Sequence, residues 1–315
     1  IATVTVTVVI MSSCEDVFPG GIQTHGVSGF IRVHIKGSYT EPEIYNSGSV
    51  ISTANIVDHD DSNVAGEMIC GAAPNLCTAS GSSAASNVVS IPSNGSTVDV
   101  SASGTLGNSG NNSYRDVTIA NSGFITIGNN FSDYYIRTLI LGDDTTLTLA
   151  AGNYWIEDEL TLGKRSNLVI SDSGTVQIFV GNKIEFKDDS QINTGGESGQ
   201  LLIYSNSSGG DKFKMKKGTD AKGFFFSQGS FEFKEESTLL GGLSGYSIDH
   251  IDNGASITYE APSSDFPLFC EAGNAVGHYA ISYDNGATFG AGSGVTCEAA
   301  AVTIVAHDAS HNEVI

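Results

Sequence analysis

Apolar and charged residues alternate one for one in several short stretches of the chain. In KFKMK, Phe213 and Met215 share one parity, and Lys212, Lys214 and Lys216 the other. FEFK repeats this with Phe231 and Phe233 against Glu232 and Lys234, and KIEFK with Ile184 and Phe186 against Lys183, Glu185 and Lys187. A period of two sends successive side chains to opposite faces of a strand, whereas on a helix the same residues would mix around the cylinder. Each stretch therefore reads as a half-buried strand with its charges outward.

The spacing of these strands suggests how they meet. The step along the chain from Phe213/Met215 to Phe231/Phe233 is the length of one small coil. The step from Ile184 to Phe213 is more than half as long again, and the Gly/Ser/Asn-rich runs at 193–199 and 205–211 supply the excess. Across 96–260, short apolar runs recur about every 8–12 residues between Gly, Asn, Asp and Ser, which reads as all-β. A sandwich or barrel of hairpins would fit, as would a parallel β-solenoid with coils about 4.8 Å apart. The in-phase phenylalanines decide for the solenoid, with an apolar ladder inside and a Lys/Glu ladder (Lys216, Lys234, Glu232) outside.

The domain expectation follows. Residues 1–13 read as the remnant of a leader peptide, with a Thr/Val strand as the alternative. Residues 14–95 form a β-rich N-terminal region, 96–262 the parallel β-solenoid, and 263–315 the truncated start of an Ig-like β-sandwich. In the last of these, YDNGAT carries an Asn-Gly hairpin signal and AVTIVAH a strand.

Composition narrows the function. With 14 basic and 35 acidic residues the formal net charge is −21, the wrong sign for nucleic-acid backbones or anionic membranes. No apolar run nears the length of about 20 residues that spans a bilayer. Cys70 and Cys77 flank a Gly/Pro/Asn turn, and Cys270 and Cys297 flank a β module. These four are disulfide candidates and imply an oxidising compartment, hence a secreted or cell-surface location. Cys14 is then left over, with acylation as one alternative.

Candidate chemistry is sparse. No G-x-S-x-G, H-E-x-x-H or P-loop occurs, so no catalytic residue is assigned and no cofactor is expected. His307 and His311 are four apart beside a strand and read as solvated. DHDDSN offers Asp58, Asp60 and Asp61 as weak calcium ligands, but the Gly and Glu of an EF-hand loop are missing. Lys212, Lys214, Lys216 and Lys234 belong to a lysine-rich face (with Lys183, Lys187, Lys217 and Lys222) that would meet an anionic glycan. The acids Glu185, Glu232, Glu235 and Glu236 among them favour outward charge ladders. Tyr154, Trp155 and Tyr246 are candidates for stacking on sugars. Thr145, Thr146 and Thr148 hint at an ice-binding array but find no match in later coils.

CEDVFPGGIQTH (14–25), LAAGNYWIEDELTLG with VQIFVGNKIEF and GQLLIYS, and the segment HYAISYDNGATFGAGSGVTCEAAAVTIVAHDASHNEV resemble the MshQ family. These are large surface proteins encoded with the MSHA-type (mannose-sensitive haemagglutinin) type IV pilus. The resemblance implies a bacterial, non-enzymatic adhesin-like protein acting near a pilus, with pilus or other surface proteins and surface glycans as partners. It transfers no catalytic residue. The alternative is a carbohydrate-active β-helix enzyme of the polysaccharide-lyase type, or a glycan-binding module.

Overall fold

The computed structural model describes residues 89–262 with short gaps. It also describes most of 14–25, strand segments between Phe30 and Ser80, Phe266, Phe269, and two strands nearer the C-terminal end. The fold is a parallel β-solenoid of about seven turns. Each turn places short strands on three faces.

Face A stacks Gly104–Leu106, Phe124–Ile127, Thr146–Leu149, Asn167–Ile170, Gln191–Ile192, residues 220–221, residues 238–241 and Ser256–Tyr259. Face B stacks residues 133–136, 152–156, Val176–Val180, Leu201–Ser205, 224–227 and 242–245. Face C stacks residues 116–119, 138–141, 159–162, Lys183–Phe186, Phe213–Met215, 231–233 and 248–251.

Register carries the alternation of the sequence into the core. On face C one inward column runs Val117, Leu139, Leu160, Ile184, Phe213, Phe231, Ile248, and its neighbour runs Ile119, Leu141, Leu162, Phe186, Met215, Phe233, Ile251. All of these side chains are buried. Phe213 and Phe231 are direct register partners with ring centroids 4.2 Å apart. The coil from Ala221 to Leu239 is short, and the one from Ile192 to Ala221 is more than half as long again. The excess leaves the stack through the inserted runs that the sequence marks.

The corner from face C to face A is a repeated device. It turns through a left-handed residue at Ser122, Asp144, Arg165, Asp189, Gly218, Glu236 and Gly254, with φ between 56° and 69°. This conformation costs a non-glycine residue roughly 1–2 kcal/mol. Backbone bonds between coils offset it: Asp144 N donates to Lys164 O, Arg165 N to Asp188 O, Asp189 N to Lys217 O and Gly218 N to Glu235 O, at 2.8–2.9 Å. The next residue is small and turned inward: Thr145, Ser166, Ser190, Thr219 and Ser237 are each fully buried. Their hydroxyls donate to corner carbonyls, as from Thr219 to Lys216 O at 2.7 Å and from Ser237 to Lys216 O at 2.8 Å.

Stacking order departs from chain order. Ile22–Thr24 lies on residues 243–245, Phe30–Val33 on 248–251, and Tyr45–Asn46 on Ser256–Ile257. Val50–Ser52, Asn55–Asp58, Met68–Cys70 and Ala79–Ser80 then continue upward on these. The strands of 14–95 thus extend the solenoid beyond its C-terminal coil, rather than forming a region apart from 96–262. The chain returns along the outside. Val89 N donates to Tyr204 Oη at 3.0 Å and Asn94 N to Glu157 Oε2 at 2.9 Å, two coils lower.

One sequence expectation changes. Cys14, in the short helix Cys14–Val17, is disulfide-bonded, so it is neither left over nor acylated. Its partner lies outside the described residues. The pairing of Cys70, Cys77, Cys270 and Cys297 likewise lies outside the described residues. In the C-terminal region, His278–Ser282 pairs antiparallel with Thr303–His307. The Asn285–Gly286 turn, His311 and residues 1–13 lie outside the described residues.

The stacked rings set the scale of core stability. Phe231→Ala should cost about 3–5 kcal/mol, because it opens a cavity between two coils. Phe124→Ala, at a ring 53% exposed, should cost under about 0.5 kcal/mol. Urea denaturation of the two variants in parallel measures the difference.

Candidate functional site

The three faces present three kinds of outer surface. Face C is ionic. Glu185, Lys214 and Glu232 are successive register partners on its outside. Glu232 lies at the centre, with Lys214 Nζ at 3.2 Å and Lys234 Nζ at 2.5 Å. Lys234 also reaches Asp252 at 3.3 Å, and Lys183 bridges Glu159 and Glu185 at 2.9 and 3.0 Å. Burial pushes the Glu232 carboxyl upward, but hydrogen bonds from Lys234 and Lys214 outweigh it and hold the group below the usual carboxylate range. Lys234 mirrors this: burial pulls it down, and Glu232 and Asp252 bring it above its ordinary value.

This geometry revises the lysine face. Lys214, Lys216 and Lys234 stand together on face C, all within ion-pair reach of acids. Lys217 pairs with Glu236 at the corner, and Lys222 belongs to face A, where its Nζ donates to Gly196 O at 3.2 Å. Lys212 lies outside the described residues. An anionic ligand on face C would therefore have to displace carboxylates already seated there.

Face B is sealed. Its strands VQIFV and LLIYS are buried on both sides. Trp155, Phe179, Tyr204 and Phe226 form an outer aromatic column with centroid spacings of 4.5, 5.9 and 5.5 Å. Cys14, Val17 and Phe18, then Val89 and Ile91, and finally Phe266 and Phe269 cover it from three distant parts of the chain. His25 continues the column, stacked on Phe226 at 4.6 Å with its Nε2 3.0 Å from Ser227 O. A carbonyl only accepts, so Nε2 carries the proton. Burial holds this imidazole down at about 4, with the Ser227 bond opposing in part.

Of the stacking candidates, Tyr154 is inside the solenoid, parallel to Tyr134 at 5.6 Å, and cannot meet a sugar. Trp155 is half-buried and donates from Nε1 to Asp133 at 3.1 Å. Tyr246 is exposed, with its ring edge-on to His25. Asp58 ends the strand Asn55–Asp58, while Asp60 and Asp61 lie outside the described residues. Among the described residues no group of three or more His, Cys, Asp or Glu side chains converges as metal ligands. Cys70 ends the strand Met68–Cys70, and Cys77, Cys270 and Cys297 lie outside the described residues.

Face A is open and uncharged over its lower coils. Its outward positions are Thr105, Phe124 and Thr126, Thr146 and Thr148, Asn167 and Val169, then Gln191. Thr105, Thr126 and Thr148 are in direct register, with Val169 next. The threonine match thus lies in earlier coils, while Thr145 is a buried corner residue. Above Asn167–Ile170 the stack is broken. The next coil pairs only through Gln191 and Ile192, after which Asn193 turns the chain outward with φ 55°. The missing rung leaves a groove of about 310 Å³ lined by 167–170, Gln191 and 193–196.

Residues 128–265 match the model of DUF7305, a domain of unknown function, over less than half of the chain. Neither a curated protein nor a solved structure matches. Among the described residues no helix is long and apolar enough to cross a membrane.

Two predictions come from the buried ionisable groups. Between pH about 6.5 and 4 the unfolded chain takes up a proton at His25 while the folded chain does not. Stability should therefore fall on acidification through that window, by at most about 3–4 kcal/mol. His25→Phe should flatten this part of the curve, as urea denaturation at stepped pH would show. Separately, Glu232→Gln should cost about 1–3 kcal/mol by leaving Lys214 and Lys234 poorly compensated. Asp144→Asn, at the exposed pair with Arg165, should leave the urea midpoint nearly unchanged, because solvent screens that pair.

Proposed function

We propose that the chain is a non-enzymatic, secreted or cell-surface segment that acts as a stiff spacer and adhesin-like platform, associated with an MSHA-type type IV pilus. The observation that carries this reading is the stack itself. One parallel ladder runs through the coils of 96–262 and on through the N-terminal strands, so load along the axis is shared by many backbone bonds. Stacked coils offer repeated, weakly binding surfaces whose combined avidity exceeds that of any one contact. The pilus association rests on the MshQ-like segments. The disulfide at Cys14 supports an oxidising location.

Deletion of the gene, followed by pilus counts and attachment to surfaces, tests the reading. Attachment should fall several-fold and return on complementation. Attachment and pilus number equal to the parent strain would refute it. Incubating the purified protein with oligosaccharides, with and without calcium, tests the competing enzyme: new reducing ends would replace the adhesin reading with a carbohydrate-active one.

A further inference from the structure

We propose that the groove on face A, between the strand Asn167–Ile170 and the inserted loop 193–200, binds an uncharged glycan. This deepens the adhesin reading and rests on its premise that the chain acts by binding. The groove exists because a rung is missing. Asn193 N donates to Leu168 O at 2.8 Å, and there the ladder stops, leaving Val169 and Ile170 without register partners in the next coil. Val169 is 42% exposed.

The wall opposite is held in place. The Asn193 amide donates to Glu197 O at 2.9 Å and Lys222 O at 3.2 Å. Gln200 Oε1 accepts from Glu197 N at 2.8 Å, and the Ser198 hydroxyl donates to Glu260 at 2.6 Å. Lys222 Nζ donates to Gly196 O. A loop tied in this way to its own turn and to two other coils loses little freedom when a ligand docks.

The lining names the chemistry. It contains no ionisable side chain: Asn167 and Gln191 supply amides and Thr194 a hydroxyl, and Val169 with half-buried Ile170 supplies aliphatic surface, while Leu168 and Asn193 are buried and hold the two walls. Among the described residues the side-chain amides of Asn167 and Gln191 meet no hydrogen-bond partner. A pyranose presents hydroxyls at its rim and C–H groups on its faces, which matches free amides beside an aliphatic shelf. An anionic sugar would find no cation among the lining side chains, with Lys222 behind the loop tied to Gly196 O, and would approach a chain of net charge −21. Below the groove the surface stays uncharged through Thr148, Thr146, Thr126 and the exposed Phe124 ring, so a linear chain can extend along the axis onto an aromatic platform.

The test uses the full chain and titration calorimetry with linear, uncharged hexasaccharides of glucose, mannose, galactose and N-acetylglucosamine. Hyaluronate and polygalacturonate serve as anionic comparators. At least one uncharged hexasaccharide should bind and the anionic polymers should not. Gly195→Tyr should weaken binding at least about tenfold by filling the groove, since a Cβ at Gly195 meets nothing within 4 Å and the fold should be undisturbed. Asn167→Ala combined with Gln191→Ala should do the same, while Lys164→Ala at the exposed corner should not, and thermal melts certify that each variant is folded. Failure of the parent chain to bind any uncharged hexasaccharide, or equal binding by folded Gly195→Tyr, overturns the assignment. The two proposals fail separately: shortened sugar products would sink the non-enzymatic reading and leave the groove standing, whereas unimpaired attachment by cells carrying Gly195→Tyr, with sugar binding lost in vitro, would detach the groove from adhesion.

Discussion

Register between parallel coils is the constraint on which the rest of the molecule depends. Side chains alternate with period two, so a slip of one residue would turn the inward columns of face C outward and bury its ion pairs. The coils differ in length, most of all between Ile192–Ala221 and Ala221–Leu239, yet the columns hold because the difference is absorbed at the turns. The corner before face A enforces this. Its left-handed residue and buried Ser or Thr recur in coil after coil, and its own N–H bonds to the coil above. A turn that is itself part of the ladder leaves the following strand little choice of phase.

This explains which parts of the fold were legible in the sequence. Ile184, Phe213 and Phe231 announce themselves because their strands are half-buried and alternate cleanly. The ionic ladder of Lys214, Glu232 and Lys234 follows from the same parity. Face B is opaque for the opposite reason. VQIFV, LLIYS and GFFFS are buried on both sides, alternation vanishes, and an apolar run alone does not say what covers its second face. The covering pieces, Cys14–Phe18, Val89–Ile91 and Phe266–Phe269, are short and far apart in the chain. The corner motif was legible in principle, as a small residue directly after each left-handed one, followed by an outward polar residue and an inward apolar one, in GDDTTL, GKRSNL, KDDSQI and KEESTL. The groove could not be read, because it depends on where a rung is absent rather than on which residues are present.

The outer surface divides its labour by face. Face C uses its charged groups on one another. Face B gives up its outer side to the covering segments and gains a second apolar cluster. Among the described residues, face A over its lower coils is left open, uncharged and regular, and there the inserted loop breaks the regularity. A repetitive scaffold offers recognition chiefly where it departs from its repeat, since an unbroken ladder satisfies its own backbone and presents a nearly featureless sheet. The lengthened coil between Ile192 and Ala221 is such a departure on a face with no competing ion pairs, which is why the proposed glycan site falls there.

The permuted stacking order has a consequence for assembly. A solenoid coil exposes unpaired backbone at its end, an invitation to add strands from another molecule. The upper end here is covered by the chain's own N-terminal strands, with Ile22–Thr24 lying on residues 243–245. Nothing that stacks there can be in place until the last coil exists, so the N-terminal strands must wait or form last. The cover of face B has the same dependence: Phe18 packs on Phe224 and Phe269, and Val89 bonds to Tyr204. Such long-range contacts slow folding, because loop entropy is lost before they are made. Once made, they join Phe18, Val89 and Phe269 to the middle of the solenoid.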